Sequence, residues 1–424
     1  MQVHSFFNID EKLLKLADEA EIEAAEAFSE INRIQRYNQQ KMQAAFTNAG
    51  VSESHFIAST GYGYGDRGRD VLDEVYAFAL GAEDALVRHN FVSGTHTLTV
   101  ALFGVLRPGD KMISVTGRPY DTIQGVIGIT GSGMGSLKEF GVEYSEIDLK
   151  EDGTVDLEAI KNTVDDSYKM VYIQRSRGYS LRPSLRIKEI EAIVKTVRSK
   201  TKKAIIMVDN CYGEFTELLE PTEVGCDMMA GSLIKNAGGG IAPTGGYIAG
   251  RRDLIELCSY RLTTPGTGKE IGCTLGNNRE LFMGAFNAPN VTGEAMKVAV
   301  FASALFKKLG YEVTPEPNEK RGDIIQAIKL QNPDALIAFC RGIQKGAPVD
   351  SFVAPEPAPM PGYDSEVIMA AGAFTLGASI ELSADAPLRE PYAVWLQGGL
   401  NYNSGNLGVI LAAQQMADMG IIKL

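Results

Sequence analysis

The chain has 424 residues, with 45% apolar and 22% charged side chains, an ordinary globular composition with length enough for one large core or two smaller ones. Its net charge of −12, from 41 basic and 53 acidic residues, opposes binding to nucleic acid or an anionic membrane, although a small basic pocket for a phosphate can sit inside such a balance. No apolar run reaches about 18 residues, the N-terminal MQVHSFFNIDEKLL lacks the basic start and apolar core of a signal peptide, and a soluble cytoplasmic protein is expected.

Residues 9–43 read as an amphipathic helix, with Leu13, Ala17, Ala24, Phe28 and Ile31 on one face. A turn-rich stretch and GYGYGDRGRD (61–70) lead into a second helix ending near Ala82, with Asp84 in GAEDAL helical or capping in character. A third helix, 95–106, stops at Pro108-Gly109. Short apolar strands then alternate with helical segments: 112–115, 142–147, 170–173, 204–208, 228–233 and 247–249. That rhythm indicates an α/β fold with a mostly parallel sheet covered on both faces. It ends near 277–289, and residues 291–308 read as one long helix. A second unit follows, with a segment at 323–330, the proline-rich FVAPEPAPMPGYDSEV (352–367), an alternating run at 367–382 and a closing helix at 406–419. The prolines of PEPAPMP favour a rigid loop over a recognition peptide. The expected organisation is a helical arm (1–50), a large domain (51–290) and a small C-terminal domain (291–424).

Lys235 carries the most chemical information. It closes an apolar run (227–234) and opens a glycine tract, GSLIKNAGGGIAPTGGYIAG, while Asp209 ends the apolar AIIMVD upstream. A pyridoxal 5′-phosphate (PLP) enzyme needs such a pair: a lysine to form a Schiff base with the cofactor aldehyde and a carboxylate to keep the pyridine nitrogen protonated. An ordinary surface lysine is the plain alternative. Its place at a strand exit, before glycines that let backbone approach a ligand, argues for the cofactor role. As a base it must be partly neutral, so burial and cationic neighbours are expected to lower its pKa. Asp209 has a capping or turn role as its alternative; the strand-like run ending at Lys235 favours the cofactor.

A phosphate needs backbone N–H groups at a helix start and hydroxyl donors. Ser93, Gly94 and Thr95 precede the third helix and supply both, and Ser232 adds a hydroxyl; a simple serine cap is the alternative. Tyr120 follows a strand, placed either to stack on the pyridine ring or to pack in the core. Gly63, Gly65 and Gly68 satisfy G-x-G-x-x-G after a strand-like stretch (55–58), the mark of a nicotinamide dehydrogenase. The acid that should end a second strand some twenty residues on is missing, so a glycine-rich loop carrying Tyr62, Tyr64, Arg67 and Arg69 is the better reading. Arg389 ends ELSADAPLR, which reads as a polar, proline-punctuated loop, and is either an exposed structural arginine or the planar donor that grips a substrate carboxylate. His4, His55, His89 and His96 lack metal-ligand spacing and no metal is expected; Cys211, Cys226, Cys258, Cys273 and Cys340 show no C-x-x-C pair and read as small buried side chains.

Together, SLIKNAGGGIAPTGGYIAG, VDNCYGEFTE, FVSGTHTL, GYGYGDRGRD and APLREPYAVWLQGGL resemble the bacterial aluminium-resistance or methionine γ-lyase-like proteins over nearly the full chain. These are relatives of the cystathionine β-lyase group of PLP enzymes. The resemblance implies the aspartate-aminotransferase (type I) fold, with a seven-stranded, mostly parallel sheet in the large domain and a smaller C-terminal α+β domain. It also implies a homodimer or homotetramer with shared active sites, in which a tyrosine and an arginine of the neighbouring subunit reach the phosphate. Tyr64 and Arg67 are the nearest matches, with Tyr62 and Arg69 as alternatives because the spacing differs from Y-S-R. Ile234 stands where Ser or Thr precedes the lysine in better-known lyases, which leaves Ser232 as the hydroxyl. The QRSRGYS segment (174–180) departs from the usual substrate-side loop.

The activity implied is β- or γ-elimination from a sulfur amino acid, releasing thiol, keto acid and ammonia. Lys235 acts as base, and Tyr64 or Tyr120 passes a proton to the leaving sulfur. Aminotransfer or γ-replacement on the same scaffold is one alternative and a non-enzymatic stress-response protein the other. Retention of both Lys235 and Asp209 argues against the latter.

Overall fold

The computed structural model describes residues 6–360 and 365–424. Met1–Ser5, with His4 and the start of the N-terminal motif, and residues 361–364 of the proline-rich segment lie outside it. The chain divides into two compact units, 36–289 and the remainder, 6–35 with 290–424; the divisions fall within two long helices.

The elements in chain order are α1 (Glu11–Asn48), α2 (Arg67–Ala79), β1 (Asp84–Arg88), α3 (Gly94–Val105), β2 (Lys111–Ser114), α4 (Asp121–Ile127), β3 (Glu143–Glu146), α5 (Leu157–Thr163), β4 (Tyr168–Gln174), α6 (Ile187–Lys200), β5 (Ile205–Asp209), β6 (Met228–Ser232), β7 (Gly246–Gly250), α7 (Arg252–Leu262) and α8 (Asn278–Lys308). Then follow β8 (Glu312–Thr314), β9 (Gln326–Lys329), α9 (Pro333–Lys345), β10 (Val367–Ala370), β11 (Ser383–Pro387), β12 (Ala393–Gln397) and α10 (Tyr402–Asp418).

In the 36–289 unit, seven strands form a sheet in the order β1-β7-β6-β5-β4-β2-β3. Strands β2 to β6 run parallel, and β7 pairs antiparallel with both β6 and β1. Alternate residues of these apolar strands bury opposite faces. Ile113, Val171, Ile173, Ile206, Val208 and Met229 join one core, whereas Met112, Met170, Tyr172, Met207 and Met228 join another across the sheet. A sheet buried on both sides needs continuous apolar strands, which is why these were readable from sequence. Helix starts follow side-chain caps: Asp66 accepts from Arg69 N at 2.9 Å for α2, and Ser93 accepts from His96 N at 3.0 Å for α3.

The other unit holds a five-stranded sheet, β10-β11-β12-β9-β8, antiparallel throughout, with Val394, Leu396 and Ile328 packed on Leu336, Phe339 and Ile343 of α9 and Val409 of α10. The described part of the proline-rich segment touches the sheet through one bridge, Ala358 to Val367.

Four local readings are corrected. Asp84 begins a strand, β1, in place of a helix or cap: the run DALVR buries its last four residues, and Lys269 binds Asp84 Oδ1 at 2.7 Å. The stretch at 55–58 is no strand, because a 3-10 turn spans Glu53–Phe56. The alternating run at 367–382 is strand only through Ala370; its remainder is irregular, held where Glu381 accepts from Phe374 N and Thr375 N, each at 2.9 Å. The ELSADAPLR segment, read as a loop, is mostly β11, buried on both faces and therefore lacking polar–apolar alternation.

Candidate active site

The parallel strands deliver their carboxyl ends to one edge of the sheet, the usual ligand edge of such folds. Gln174 ends β4, Asp209 ends β5 and Ser232 ends β6, with Asp209 in register with Gln174 on one side and Ala230 on the other. β1 runs the same way, and α3 starts a few residues after it.

Asp209 is buried, at 7% exposure. Its Oδ1 accepts from Cys211 N at 3.1 Å and its Oδ2 from the Tyr172 hydroxyl at 3.4 Å. Burial pushes this carboxyl above its ordinary value, with Lys235 and the Cys211 and Tyr172 hydrogen bonds pulling back. Lys235 follows β6 in a turn where its N–H reaches Ser232 O at 3.4 Å, and its half-buried side chain places Nζ 4.0 Å from the centroid of the Tyr212 ring. The expectation of a depressed lysine pKa fails. Desolvation works to lower it, but Cys211, Tyr212, Asp209 and Glu214 outweigh burial and raise it, because the groups acting on the lysine are acidic.

Gly94 opens α3 against the lysine strand. A Cβ at Gly94 would lie 3.3 Å from Ser232 Cβ and 3.7 Å from Cys211 Sγ, so Gly94, Ser232 and Cys211 meet in one cradle. Ser93 caps the helix, and the first-turn N–H groups of Gly94 and Thr95 face outward from it. The Thr95 hydroxyl lies 2.7 Å from that of Thr122 and ties α3 to α4. Tyr120 stands just ahead of α4, its N–H on Gln174 Oε1 at 2.7 Å and its ring edge-on to Tyr179 at 6.0 Å. Lys235, Asp209, Ser93, Gly94, Thr95, Ser232 and Tyr120 thus all belong to this edge.

The glycine tract after Lys235 answers a different need from the one expected. A Cβ at Gly238 would meet Leu233 O at 1.8 Å, and one at Gly239, where φ is +57°, would meet Gly284 O of α8 at 2.4 Å. These glycines let the lysine turn pack on its own unit rather than on a ligand. The G-x-G-x-x-G segment is similar: Gly63 lies against Cys273 and Gly68 against His55 O, at distances of 2.7 Å and 2.0 Å from a built Cβ. With no strand before it, this is no dinucleotide fingerprint.

Tyr62 and Tyr64 are 71% and 69% exposed, with ring centroids 5.5 Å apart. Arg67 is exposed too, its Nη2 3.4 Å from His55 Nε2. Arg69 is buried and spent on the loop itself, donating to Gly63 O at 2.9 Å and Gly272 O at 3.1 Å. Arg389 belongs to the other unit, exposed just after β11. In the QRSRGYS segment Arg175 turns inward, donating to Asn210 Oδ1 at 2.8 Å and pairing with Glu217 and Glu220. Sequence reasoning passed over Tyr212, Cys211, Tyr172 and Glu214. Three of them lie within five residues of Asp209 at a strand exit, a proximity that was the available signal.

Among the described residues no three His, Cys, Asp or Glu side chains converge as a metal site, and no helix is long and apolar enough to cross a membrane. A family model described as methionine γ-lyase matches residues 13–417. An uncharacterised Bacillus subtilis protein, YnbB, is 45% identical over 97% of this chain and 98% of its own length. The solved structure of a carbon–sulfur lyase involved in aluminium resistance from Clostridium novyi NT is 52% identical, with a TM-score of 0.93 over 97% of this chain and 98% of that one. At 18% identity the PLP-dependent YhfS of Escherichia coli shares the fold, with a TM-score of 0.61 over 92% of this chain and 97% of its own, and the architecture is that of type I PLP enzymes.

Proposed function

Because the chain belongs to the methionine γ-lyase family, we propose that it is a carbon–sulfur lyase acting on a sulfur amino acid by β- or γ-elimination, with thiol, keto acid and ammonia as products. Pyridoxal 5′-phosphate is the cofactor of that family. One observation carries the reading: a lysine, a buried carboxylate and a glycine-opened helix start meet at one edge of one sheet.

The residues present fit that cofactor. The Gly94–Ser232–Cys211 cradle is tight enough that even a Cβ at Gly94 would press on it, yet it offers helix N–H groups and hydroxyls suited to a phosphate, and Asp209 is a buried acid with an acceptor oxygen that a protonated ring nitrogen would satisfy. When bound, PLP supplies the electron sink for a carbanion at the substrate's Cα.

This chain's own residues do the remainder. Lys235 Nζ would give the covalent anchor and, once free again, take the α-proton; Asp209 would hold the ring proton; Ser93, Gly94, Thr95 and Ser232 would hold the phosphate. Tyr120 would stack on the ring, and Tyr64 or Tyr120 would move a proton to the leaving sulfur. Tyr64 and Arg67 are assigned to the site of a second copy in a homodimer or homotetramer. Their exposure supports this, and the engagement of Arg69 with its own loop favours Arg67 over it. Arg389 is assigned the substrate carboxylate. The aluminium-resistance context of the Clostridium relative is extended to this chain as part of the same proposal.

Absorbance between about 300 and 500 nm, before and after borohydride, followed by peptide mapping, tests the foundation. A yellow band removed by borohydride with the adduct on Lys235 supports it; a protein that stays colourless with added cofactor ends it. Release of thiol and ammonia from cysteine-type thioethers separates elimination from aminotransfer, and Lys235→Ala should abolish both the adduct and turnover.

A further inference from the structure

Beneath the lysine turn the chain buries a second acid. Glu214 is fully buried; its Oε1 accepts from the Tyr247 hydroxyl at 2.7 Å, and its buried Oε2 has no hydrogen-bond partner among the described residues. Asn236, the residue after Lys235, is also fully buried. Its Nδ2 donates to the carbonyls of Tyr212 at 3.0 Å and Glu214 at 3.1 Å, which fixes the amide's orientation and leaves Oδ1 as another buried acceptor with no partner. Two orphaned acceptors on residues already tied together cannot satisfy each other, but a proton on the carboxyl turns one into a donor.

The strand leading to the lysine, β6, is cut away to admit this acid. A Cβ at Gly231 would stand 2.4 Å from Glu214 Oε1 and 2.7 Å from Tyr247 Cε1. The titratable and charged groups around Glu214 come from several elements. They are Tyr247 of β7, Tyr76 of α2 stacked on it at 6.0 Å, Cys211 and Lys235 at the sheet edge, and Glu220 with its partner Arg175.

We propose that Glu214 is a positioning residue for Lys235: its carboxyl carries a proton, donates it from Oε2 to Asn236 Oδ1 and so fixes the turn that bears the lysine, and on losing that proton it holds Lys235 as an ammonium. The functional meaning rests on Lys235 being the cofactor's lysine; the proton assignment does not. Burial pushes the Glu214 carboxyl up to about 8, against the pull of the Tyr247 hydroxyl and the backbone, and Glu214 is among the acids that raise Lys235. The acid is therefore neutral near pH 7 and charged on the alkaline side.

Infrared difference spectra of the full-length protein without added cofactor, taken between about pH 6 and about pH 10, test this directly. The carbonyl stretch of a buried carboxylic acid should disappear with a midpoint near 8, be missing in Glu214→Gln and shift in frequency in Asn236→Ala. Any band belonging to Asp209 or Glu220, both also raised by burial, should persist in Glu214→Gln. Reductive methylation of Lys235 with formaldehyde and cyanoborohydride, on protein freed of any bound pyridoxal 5′-phosphate, supplies a second readout. Glu214→Gln should match the wild-type rate near pH 6 and exceed it about threefold to tenfold above about pH 9, whereas a merely structural role shifts both alike.

A missing Glu214 band, or a rate ratio independent of pH, overturns the proposal. Should Glu214→Gln not fold, an unchanged band frequency in Asn236→Ala overturns it and a shifted one supports it. A protein that shows the band and never takes up pyridoxal 5′-phosphate refutes the lyase reading and leaves the proton assignment standing.

Discussion

The Nζ of Lys235 lies over the face of Tyr212, 4.0 Å from the ring centroid. Tyr212 adopts φ +70°, a left-handed backbone uncommon outside glycine, so the chain turns sharply after Cys211 to bring that ring to the lysine. A cation over an aromatic face gains about 0.5–2 kcal/mol, and only the ammonium collects it. Tyr212→Leu should therefore release Lys235 toward its neutral form and raise its rate of labelling by an amine reagent about twofold to thirtyfold at fixed pH, while Tyr212→Phe should leave it near wild type. Mass-spectrometric labelling of the two variants decides; equal rates in all three proteins would show that the contact contributes nothing.

Gly94 offers a cleaner separation of fold from cofactor. A methyl group there would press Ser232 Cβ at 3.3 Å, a squeeze of a few tenths of an ångström that small side chains can absorb, while narrowing the helix start offered to a phosphate. Gly94→Ala should keep stability within about 1 kcal/mol and weaken PLP affinity about tenfold or more. Thermal unfolding and a cofactor titration on the same preparation check the two halves. Loss of both together would make Gly94 a packing residue.

What could be read beforehand follows from where each element is buried. Strands covered on both faces, such as IIMVD and MMAGS, announce themselves as apolar runs ending at Asp209 and Ser232, so the sheet and its ligand edge were legible. β1 was not, because DALVR opens on an acid whose charge is met by Lys269, far off in sequence. β11 escaped for a related reason: its Ser383 and Asp385 are buried polar residues, Asp385 receiving the Gln397 amide at 2.9 Å from the neighbouring strand. The expected depression of the Lys235 pKa was the misjudged chemistry. Its acidic surroundings come from Cys211, Tyr212 and Glu214 as well as Asp209, and only folding brings them together around the lysine.

A buried ion pair anchors β1 beside the sheet edge. Arg88 Nη1 meets Asp73 Oδ1 at 2.7 Å with both side chains nearly inaccessible, the same oxygen accepts from Val87 N at 2.7 Å, and Lys269 approaches the other oxygen at 3.2 Å. Removing the acid leaves a buried guanidinium and a buried N–H unmatched, a loss of about 3–5 kcal/mol. Asp73→Ala should lower the denaturation midpoint accordingly, and Asp73→Asn, which keeps one acceptor, should cost less. A change below about 1 kcal/mol in Asp73→Ala would mean that water replaces the pair, as it does for surface salt bridges.

The raised carboxyl of Glu214 also sets how stability responds to pH. Its ordinary value is 4.5 and burial in the folded protein takes it to about 8, so between those limits the folded chain keeps a proton that the unfolded chain has released. The stabilisation linked to that proton is complete below 4.5 and disappears as pH rises through 8. Within the window this group alone makes stability fall by up to about 1.4 kcal/mol per pH unit, and Asp209 and Glu220, raised by the same burial, add slopes of the same sign. Glu214→Gln carries no such proton. Its thermal midpoint should gain on the wild type steadily from about pH 5 and level off above about pH 8. Curves that stay parallel across that range would place the Glu214 ionisation outside it.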